Sequence, residues 1–480
     1  MTVNNIQKNP LRRTKIVCTI GPGSSSPSVI EKLLKAGMDV ARINFAHGVY
    51  EEQAECIEII RKEAERIGKP VSIMQDLPGP KDRTGRVRGG GVILNEGDEF
   101  VLTIRQVLGD KHQVSVDWAD LPKTVKLGDI IFLDDGNIKL ETTNINTDDV
   151  KCKVVVGGRL SDHRGINVPG ITRAVNTMTE EDWDHLNFGI KHDVDFIALS
   201  FIQDAEDILK IRRFLEEKNV SKMLIAKIER REALDKLDEI LEVADGVMVA
   251  RGDLGIEIPI QKVPMAQKAI VQKCNSLGKP VIVATQMLES MVDSPRPTRA
   301  EVTDVANAIF DGTDAVMLSE ETAVGHYPVE AVDMMTQVAL ETERALPYED
   351  ILTAKGKNLK PETDDAISYS ACQIAKQLNA AVIIAFTSSG STARRVAKYR
   401  PEVSILAITP SEVTRRQLAL SWGVYTAQVP SVKKIADLFA QGVAVARDLK
   451  LAHDGDLIVI TGGVPIGVPG STNLLKVERI

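Results

Sequence analysis

The stretch MLIAKIERREALDKLDEILEVADGVMVARGD, residues 223–253, decides the fold, because it holds two strand-like apolar runs separated by a helix-like segment. Lys227 and Glu229 end the first run, and Asp253 follows the second; all three suit phosphate or metal chemistry. Such a repeat of strand, functional strand end and helix is most simply a (β/α)₈ barrel, whose active site lies at the C-terminal strand ends. Three more segments follow the same pattern: FIALSF at 196–201, VIVATQM at 281–287 and AVMLSEE at 315–321. The sequence therefore predicts an enzyme built on a TIM barrel.

Apolar runs bounded by turn residues predict eight strands, the number that a closed barrel needs. Most of the runs are followed by helical patterns, which fits right-handed crossovers and a parallel sheet. The predicted strands are 15–20, 39–44, 71–76, 194–200, 223–228, 245–250, 280–286 and 314–319, and the clearest helices are 27–35, 51–67, 205–217 and 261–277.

The regular spacing breaks after the third strand. Residues 79–174 contain short alternating runs separated by GD, DDG and GG turns, which predict an inserted all-β domain placed as a lid over the active site. The polar stretch 353–365 predicts a linker, and residues 359–480 predict a C-terminal open α/β domain. The barrel then comprises residues 1–78 and 175–346. Within the C-terminal domain we expect helices at 365–378, 391–399, 412–420 and 432–448, and strands at 381–386, 404–408, 456–460 and 473–478.

Composition narrows the functional classes. A net charge of −8 argues against a general nucleic-acid binder, which needs clustered Lys and Arg. The five cysteines are scattered without a CxxC pair, which favours a reducing compartment. The apolar runs are strand-sized, and the start of the chain lacks a signal-peptide pattern. We therefore expect a cytoplasmic protein that binds neither nucleic acid nor membrane.

The centre of the predicted site is an acidic pair beside a lysine. Lys227 and Glu229 are two residues apart on a strand and so share a face, although an ordinary salt bridge explains such a pair equally well. Glu229 and Asp253 together offer two hard oxygen ligands, which suits Mg²⁺. Amides at Gly252 and Asp253 favour an anion if a helix begins there. Thr285 ends the seventh strand and could place a hydroxyl beside the metal, or could simply cap a turn.

Basic residues follow the N-terminal strands. Arg42 and Asn44 share one face at the end of the second strand, and Asp76 ends the third. Lys81 and Arg83 come shortly after Asp76. Phosphoryl transfer needs such cations near a metal, because the protein acts mainly by positioning groups and neutralising oxygen charge.

In combination, these residues closely resemble the pyruvate kinase family. The resemblance covers nearly all 480 residues, and eight family motifs occur in family order. The motifs are TIGPGS at 19–24, ARINFAHG at 41–48, QDLPGPK at 75–81, KIE at 227–229, VMVARGDLGIEI at 247–258, ATQMLESM at 284–291, PRPTRAE at 295–301 and DAVMLSEETA at 314–323. The resemblance implies transfer of the phosphoryl group of phosphoenolpyruvate to ADP, giving ATP and pyruvate in the final step of glycolysis. It also implies a homotetramer under allosteric control.

The resemblance assigns roles to the substrate-side residues. It implies that Glu229 and Asp253 hold Mg²⁺, for which Mn²⁺ can substitute, and that Arg42 and Lys227 contact the phosphoryl group. Lys227 would stabilise that group in flight, and Thr285 would stand beside the substrate carboxylate and enolate carbon, with the backbone of Gly252 and Asp253 completing the pocket. The positions it associates with ADP and its own Mg²⁺ are Thr19, Pro22, Asn44, His47, Arg83 and Arg164.

Two departures from the family pattern concern the monovalent cation. Many members bind K⁺ through a serine where this chain has Ala46, together with Asn44, Asp76 and the Leu77 carbonyl. They also carry an acidic residue where this chain has Lys81. We expect the Lys81 ammonium to supply the missing positive charge beside Asp76, and we predict activity without K⁺. Two further departures, Asp82 and Glu320, have no assigned role.

A second candidate site lies in the C-terminal domain. The loop Thr387-Ser388-Ser389-Gly390-Ser391-Thr392 joins a strand to a helix and offers hydroxyls and amides for a phosphate, although a capped turn explains it equally well. The resemblance favours an allosteric sugar-phosphate or nucleotide site, with residues 462–470 as a second loop. Two other functions remain open at this point: a metal-dependent lyase or aldolase acting on a pyruvate enolate, and a non-catalytic sugar-phosphate sensor.

Overall fold

The computed structural model describes residues 12–171, 177–468 and 470–480. Eight parallel strands close into a barrel in the order β1-β16-β15-β14-β13-β12-β3-β2. The predicted TIM barrel and its eight strands are therefore confirmed. The barrel strands are β1 (Lys15–Ile20), β2 (Val40–Asn44), β3 (Ser72–Leu77), β12 (Phe196–Leu199), β13 (Met223–Ile228), β14 (Gly246–Ala250), β15 (Val281–Ala284) and β16 (Ala315–Leu318).

Helices cover the outside of the barrel. The helix α2 shows why: Ile57, Ile60 and Ala64 recur at helical spacing, and all three are buried in the core between strands and helices. The start of α10 is fixed by a capping box in which Thr298 and Glu301 bond each other's backbone amides. These helices are α1 (Pro27–Ala36), α2 (Tyr50–Ile67), α4 (Glu180–Lys191), α5 (Ala205–Glu217), α6 (Arg231–Asp235), α7 (Leu237–Val243), α8 (Arg251–Glu257), α9 (Val263–Leu277), α10 (Arg299–Asp311), α11 (Glu320–Ala323) and α12 (Pro328–Arg344).

Alternation along β13 carries its functional residues into the barrel. Met223 and Ile225 belong to the apolar cluster inside the barrel. Leu224 and Ala226 belong to the core between the strands and the surrounding helices. Because successive side chains on a strand point to opposite faces, Lys227 lies on the inward face at the C-terminal mouth.

The insertion forms a separate β domain with its own apolar core. It leaves the barrel between β3 and β12, which are neighbours in the closed sheet. One six-stranded sheet has the order β11-β7-β8-β9-β5-β6, and β10 pairs with β4. The predicted all-β fold is confirmed, but its end at residue 174 lies outside the described residues. The elements are β4 (Gly91–Leu94), β5 (Glu99–Thr103), β6 (Gln113–Ser115), α3 (Leu121–Thr124), β7 (Ile130–Leu133), β8 (Ile138–Ile145), β9 (Asp149–Val156), β10 (Gly158–Ser161) and β11 (Ile166–Asn167).

The C-terminal domain is an open sheet of order β19-β18-β17-β20-β21, parallel except for the last pair, as the α/β prediction requires. The predicted linker is wrong at both ends: residues 353–356 finish a helix that buries Leu352 in this domain's core, and residues 363–365 begin the next helix. The strand β19 was not predicted. The elements are α13 (Tyr348–Gly356), α14 (Thr363–Gln377), β17 (Val382–Phe386), α15 (Ser391–Lys398), β18 (Ser404–Thr409), α16 (Glu412–Gln417), β19 (Val424–Gln428), α17 (Ile435–Asp448), β20 (Leu457–Gly463) and β21 (Thr472–Arg479).

Candidate active site

Lys227 is the centre of a buried polar cluster at the C-terminal mouth of the barrel. Its Nζ lies 2.9 Å from Glu229 Oε1 and 3.1 Å from Asp76 Oδ1. The same ammonium donates to Ser200 Oγ at 2.6 Å. Glu229 is further fixed because its Oε2 accepts the Phe201 amide at 2.7 Å. Three different strand ends therefore converge on one cation, as the barrel prediction required.

Arg42 joins this cluster from β2. Its Nε donates to Asp76 Oδ2 at 2.6 Å, and its Nη1 donates to Thr19 Oγ1 at 2.9 Å. Asp76 is 1 % exposed, so its charge depends on these partners and not on water. Arg42 and Lys227 are thus held on opposite oxygens of one carboxylate, which brings two cations together at the mouth.

Asp253 lies in the first turn of α8, beside the polar cluster. Its Oδ1 is 3.4 Å from the Lys81 ammonium, which also lies 2.9 Å from Asp135 Oδ1 in the insertion. Asp253 and Asp135 together raise the pKa of Lys81 above its ordinary value, although burial alone would lower that pKa. Lys81 therefore links the rim of the barrel to the inserted domain.

The pKa values of Asp76, Glu229 and Lys227 are shifted in different directions, because burial and neighbouring charges act on each of them to a different extent. Burial would raise the pKa of Asp76, but Arg42 and Lys227 outweigh it and lower that pKa. Burial raises the pKa of Glu229, and the nearby Asp253 adds to the rise despite the ammonium of Lys227. Asp76 and Glu229 in turn raise the pKa of Lys227 above its ordinary value against the effect of burial. Lys227 therefore does not fully offset the effect of burial on Glu229, whereas Arg42 and Lys227 together do so for Asp76.

This acidic pair fits a divalent cation. Glu229 and Asp253 are close enough to repel each other, and a positive ion between them removes that repulsion. Within the described ranges, no group of three or more His, Cys, Asp or Glu side chains is arranged to hold a metal ion. An ion held by two carboxylates must take its other ligands from water or substrate, and Mg²⁺ is usually coordinated in this way.

Thr285 occupies an unusual backbone conformation immediately after β15. Thr285 and Gln286 have φ of 67° and 54°, so the strand ends at Ala284 and not at the predicted residue 286. A β-branched residue with positive φ is strained and persists only where its surroundings hold it. The Thr285 hydroxyl accepts the Gly252 amide at 2.9 Å. That amide is therefore already bonded, which differs from the expectation of a free anion-binding N–H group.

Arg251, which the sequence did not single out, holds Thr285 in place. Its Nη2 donates to the Thr285 carbonyl at 2.6 Å, and its Nε donates to the Ala284 carbonyl at 3.1 Å. Its Nη1 lies 2.7 Å from Asp304 Oδ2 on α10. Ser200 was missed as well, although it lies in one of the five strand-end segments and the same rule could have found it.

Comparisons with known proteins show which family the chain resembles over most of its length. Residues 11–332 match the family model described as "Pyruvate kinase, barrel domain", and residues 365–478 match "Pyruvate kinase, alpha/beta domain". The chain belongs to the pyruvate kinase family. Pyruvate kinase from Geobacillus stearothermophilus is 49% identical over 98% of this chain and 80% of its own length. The protein of that name from Staphylococcus epidermidis is 47% identical over 98% and 81%. A crystal structure of a pyruvate kinase from Cryptosporidium parvum superposes with a TM-score of 0.91 at 38% identity, covering 98% of this chain and 96% of that one.

The residues that the pyruvate kinase resemblance assigns to ADP lie in different surroundings. Thr19 is buried, and its hydroxyl donates to the Leu318 carbonyl. Pro22 and His47 are exposed on loops after β1 and β2, and Asn44 accepts the Ala46 amide at 3.1 Å. Arg83 and Arg164 approach each other on the insertion, where Arg83 pairs with Gly165 across an antiparallel bridge. Nucleotide binding by this set stays a prediction.

The Lys81 side chain differs from its expected position. Its ammonium contacts Asp135 and Asp253, whereas Asp76 is occupied by Arg42 and Lys227. The expectation that Lys81 stands beside Asp76 is therefore not met, because Asp253 on α8 and Asp135 on the insertion attract it more closely. Leu77 is buried beneath this region, and Glu320 is exposed at the start of α11, where nothing in the structure explains it.

The second candidate site of this pyruvate kinase family member is a cleft of about 80 Å³ in the C-terminal domain, open to solvent. Thr387, Ser388, Ser391 and Thr392 line one side, and the second loop contributes Gly463, Ile466, Gly467, Val468 and Gly470. The helix α15 begins here without a side-chain cap, so its first amides face the cleft unsatisfied by a capping residue. Thr387 Oγ1 accepts the Gly390 amide at 2.8 Å, and Ser389 Oγ donates to Ser391 Oγ at 3.3 Å. The two predicted loops do come together.

No helix among the residues that the structure describes is long and apolar enough to cross a membrane.

Proposed function

We propose that this chain is a phosphotransferase that moves the phosphoryl group of phosphoenolpyruvate to ADP, yielding ATP and pyruvate with Mg²⁺ as the required dication. The observation that carries this proposal is the Lys227 ammonium, held by Asp76, Glu229 and Ser200 at the barrel mouth. Membership of the pyruvate kinase family supports the same assignment. The reaction is the final step of glycolysis, and we place it in the cytoplasm.

In the proposed reaction, the enol oxygen–phosphorus bond breaks and a new bond forms between phosphorus and a terminal oxygen of ADP. Negative charge on the phosphoryl oxygens must be matched throughout the transfer. Arg42 and Lys227 supply two fixed cations at one place, and their shared contact with Asp76 sets their spacing before substrate arrives. This pre-organisation is the protein's main contribution to rate, because fixed charges need no rearrangement during the reaction.

The enolate left by phosphoryl transfer becomes pyruvate when its methylene carbon takes a proton. We assign Thr285 to that side of the substrate, with its hydroxyl oriented by the Gly252 amide and the Ala284 carbonyl. Glu229 and Asp253 would hold the Mg²⁺, which supplies positive charge to the substrate's carboxylate and phosphoryl oxygens when bound. Substrate positioning then falls to Arg42, Lys227 and the α8 backbone.

The decisive assay is release of pyruvate from phosphoenolpyruvate with and without ADP. A phosphotransferase releases pyruvate only when ADP is present and forms ATP in equal amount. A lyase or aldolase has no acceptor for the phosphoryl group and, like a non-catalytic sensor, gives no pyruvate from phosphoenolpyruvate; absence of ADP-dependent pyruvate release overturns the proposal. Crystals soaked with oxalate and Mn²⁺ provide the structural test. They should show Glu229 and Asp253 sharing one ion, and carboxylates turned away from the ion would contradict the metal assignment.

We further propose that activity does not require K⁺. The Lys81 ammonium adds a permanent positive charge at Asp253 and Asp135, and Ala46 lacks the hydroxyl that family members use as a K⁺ ligand. Initial rates in K⁺ and in Na⁺ at fixed ionic strength should agree within about twofold. A large stimulation by K⁺ would contradict this proposal without affecting the phosphotransferase assignment.

We propose that the C-terminal cleft binds a phosphorylated effector and that the enzyme is an allosteric homotetramer. The support for the effector site is the uncapped start of α15 beside four hydroxyl-bearing residues. Initial rates across phosphoenolpyruvate, with and without AMP, ribose 5-phosphate, glucose 6-phosphate and fructose 1,6-bisphosphate, identify the effector. If none of the four shifts the substrate dependence, the allosteric proposal fails for these classes.

A further inference from the structure

A single buried aspartate ties together the two connections between the barrel and the insertion. Asp182 lies in the first turn of α4, the helix that follows the insertion, and it is 0 % exposed. Its Oδ1 accepts the Gly79 amide at 3.2 Å, where the chain leaves β3 for the insertion. Its Oδ2 accepts the amide and the hydroxyl of Thr179 at 2.9 and 2.7 Å, where the chain returns to the barrel. We name residues 78–80 the entry connection and residues 177–179 the return connection.

A helix cap explains only half of this arrangement. The Thr179 hydroxyl also accepts the Asp182 amide at 3.0 Å, so the two residues form a capping box at the start of α4. This box uses Oδ2 of the carboxylate, whereas Oδ1 bonds Gly79, which lies 103 residues earlier in the chain. A buried carboxylate is stable only when its oxygens are hydrogen-bonded, so Asp182 and the two connections depend on one another. We name these contacts the Asp182 clamp.

The entry connection lies directly against the active site. Gly79 has a φ of 64°, and a Cβ at this position would lie 3.0 Å from the Ser200 carbonyl oxygen. The Ser200 side chain in turn bonds the Lys227 ammonium at 2.6 Å. A larger residue is strained at this φ and crowds that carbonyl, so glycine permits the close approach. The position of Gly79 is thus set by two contacts, a steric one with Ser200 and a hydrogen bond to Asp182.

The insertion meets the barrel again on α8, besides the ammonium bridge described above. Asn167, at the end of β11, hydrogen-bonds Glu257 of this helix. The turn between β7 and β8 approaches the same helix, since a Cβ on Gly136 would lie 3.7 Å from Ile256 Cγ1. Helix α8 follows β14, and the sheet order places β12 and β13 between β14 and β3. The insertion therefore spans the strand end that carries Lys227.

We propose that Asp182 is a positioning residue for the nucleotide: by bonding both connections it fixes how the insertion stands over the barrel mouth, and so where Arg83 and Arg164 meet ADP. The choice of ADP rests on the proposed phosphotransferase function, whereas the clamp rests on the contacts above. Arg83 Nη1 donates to the His163 carbonyl at 3.1 Å, and the Thr84 amide donates to the Arg164 carbonyl at 2.8 Å. Both guanidinium groups therefore take their positions from the insertion as a whole.

Loosening the clamp lowers the fraction of molecules whose insertion is docked on α8. The apparent affinity for a ligand falls by the same factor as the population of the state that binds it. KM for ADP should therefore rise, whereas kcat at saturating ADP should be kept, because bound nucleotide restores docking. KM for phosphoenolpyruvate should stay unchanged, because the residues proposed to bind it, Arg42, Lys227 and Thr285, stand on the barrel.

Hydrogen exchange of the full, unaltered chain tests the clamp without any assay of activity. Pro78 and Pro80 have no amide hydrogen, so fragment ions resolve the Gly79 amide from its neighbours. We expect this amide to exchange at least about a hundredfold more slowly than in an unfolded chain, and exchange at the unfolded rate would overturn the clamp. Asp182→Asn leaves one acceptor oxygen for two connections, so the Gly79 amide should then exchange at least about tenfold faster than in wild type.

Kinetics of the same variant test the positioning role. Asp182→Asn should raise KM for ADP about three- to tenfold and keep kcat and KM for phosphoenolpyruvate within about twofold of wild type. The matched control is Asp365→Asn, which neutralises another buried acid in the first turn of a helix, where it accepts the Lys360 amide at 3.0 Å. Its melting temperature should also fall, but its KM for ADP should be that of wild type. A fall in kcat of Asp182→Asn without a rise in KM for ADP, or equal rises in both variants, would contradict the proposal.

The two measurements separate the clamp from the proposed function. If the unaltered chain forms no pyruvate in the presence of ADP, the phosphotransferase assignment and the nucleotide role of Asp182 fail together, while hydrogen exchange still decides whether the clamp exists. If the unaltered chain is active and Asp182→Asn keeps both the wild-type exchange of Gly79 and the wild-type KM for ADP, the function stands and Asp182 is an ordinary helix cap. Should Asp182→Asn not fold, the exchange rate of Gly79 in the unaltered chain decides.

Discussion

Replacing Lys227 by methionine removes the cation that Asp76 and Glu229 share at the barrel mouth. Removing one partner of a buried ion pair typically costs about 3–5 kcal/mol, since the other charge stays buried. Asp76 keeps Arg42 at 2.6 Å, and Glu229 keeps the Phe201 amide, so we expect the lower end, about 3 kcal/mol. The fold should persist, with a melting temperature lower by roughly 6–12 °C.

In Lys227→Met, the loss of kcat should be much larger than the loss of stability alone would cause. Lys227 is one of two fixed cations for the phosphoryl oxygens, and single groups of this kind contribute about 10³-fold or more to kcat. Because the pKa of Lys227 is raised in the folded protein, its contribution to the free energy of unfolding is complete below the unfolded pKa of about 10.4. The stability difference between wild type and variant should therefore stay constant from about pH 6 to 9 and shrink only above that range.

The matched control is Lys222→Met, at the other end of the same strand. Lys222 is 7 % exposed and lies 2.5 Å from Asp193, which also pairs with Arg416. We expect a loss of about 1 kcal/mol and an unchanged kcat, because Asp193 keeps a partner and the site is distant. Coupled ADP-dependent assays and thermal unfolding measure both effects. A Lys227→Met variant with more than a tenth of wild-type kcat would refute the proposed role of this ammonium.

Three further predictions concern Arg251 and Glu257 of α8, and Thr285, whose carbonyl Arg251 holds. Arg251→Lys loses the two guanidinium N–H donors that hold the carbonyls of Ala284 and Thr285. We therefore expect kcat to fall about tenfold or more, with a melting temperature only slightly lower. Thr285→Gly relieves the backbone strain of the positive φ but removes the hydroxyl. We expect kcat to fall while the free energy of unfolding stays within about 1 kcal/mol of wild type. Burial raises the pKa of Glu257 to about 7, and its partner is Asn167 of the insertion. Because the folded state holds this proton more tightly than the unfolded chain, stability should fall by about 2 kcal/mol as pH rises from about 4.5 to 7, and Glu257→Gln should remove that slope.

Each of these predictions has an outcome that contradicts it. A wild-type kcat in Arg251→Lys would mean that the carbonyl contacts do not position Thr285. Thr285→Ala serves as the control for Thr285→Gly, since it also lacks the hydroxyl but keeps the strained φ, and it should be the less stable of the two. An unchanged pH slope in Glu257→Gln, measured by denaturant unfolding, would show that another group titrates there.

Strands and domains follow from the sequence because their signals are local. The eight barrel strands were predicted within about two residues, since each is a short apolar run bounded by turn residues. The failures share one cause, which is tertiary packing. Residues 353–356 look irregular, yet they are helical because Leu352 packs into the C-terminal core. The strand β15 stops before Thr285 because Arg251 holds the following carbonyls.

The sequence by itself determined the order of elements, the inserted domain and the residue types at each strand end. Its spacing placed Lys227, Glu229 and Asp76 at the same rim, because parallel strands of a barrel end together. Only the tertiary structure decided which charges pair. It joined Lys227 to Asp76 across 151 residues and drew Lys81 to Asp253 and Asp135. Local pattern fixes which way a side chain faces, but electrostatic energy depends on distance in space, and that distance is set only when the whole chain has packed.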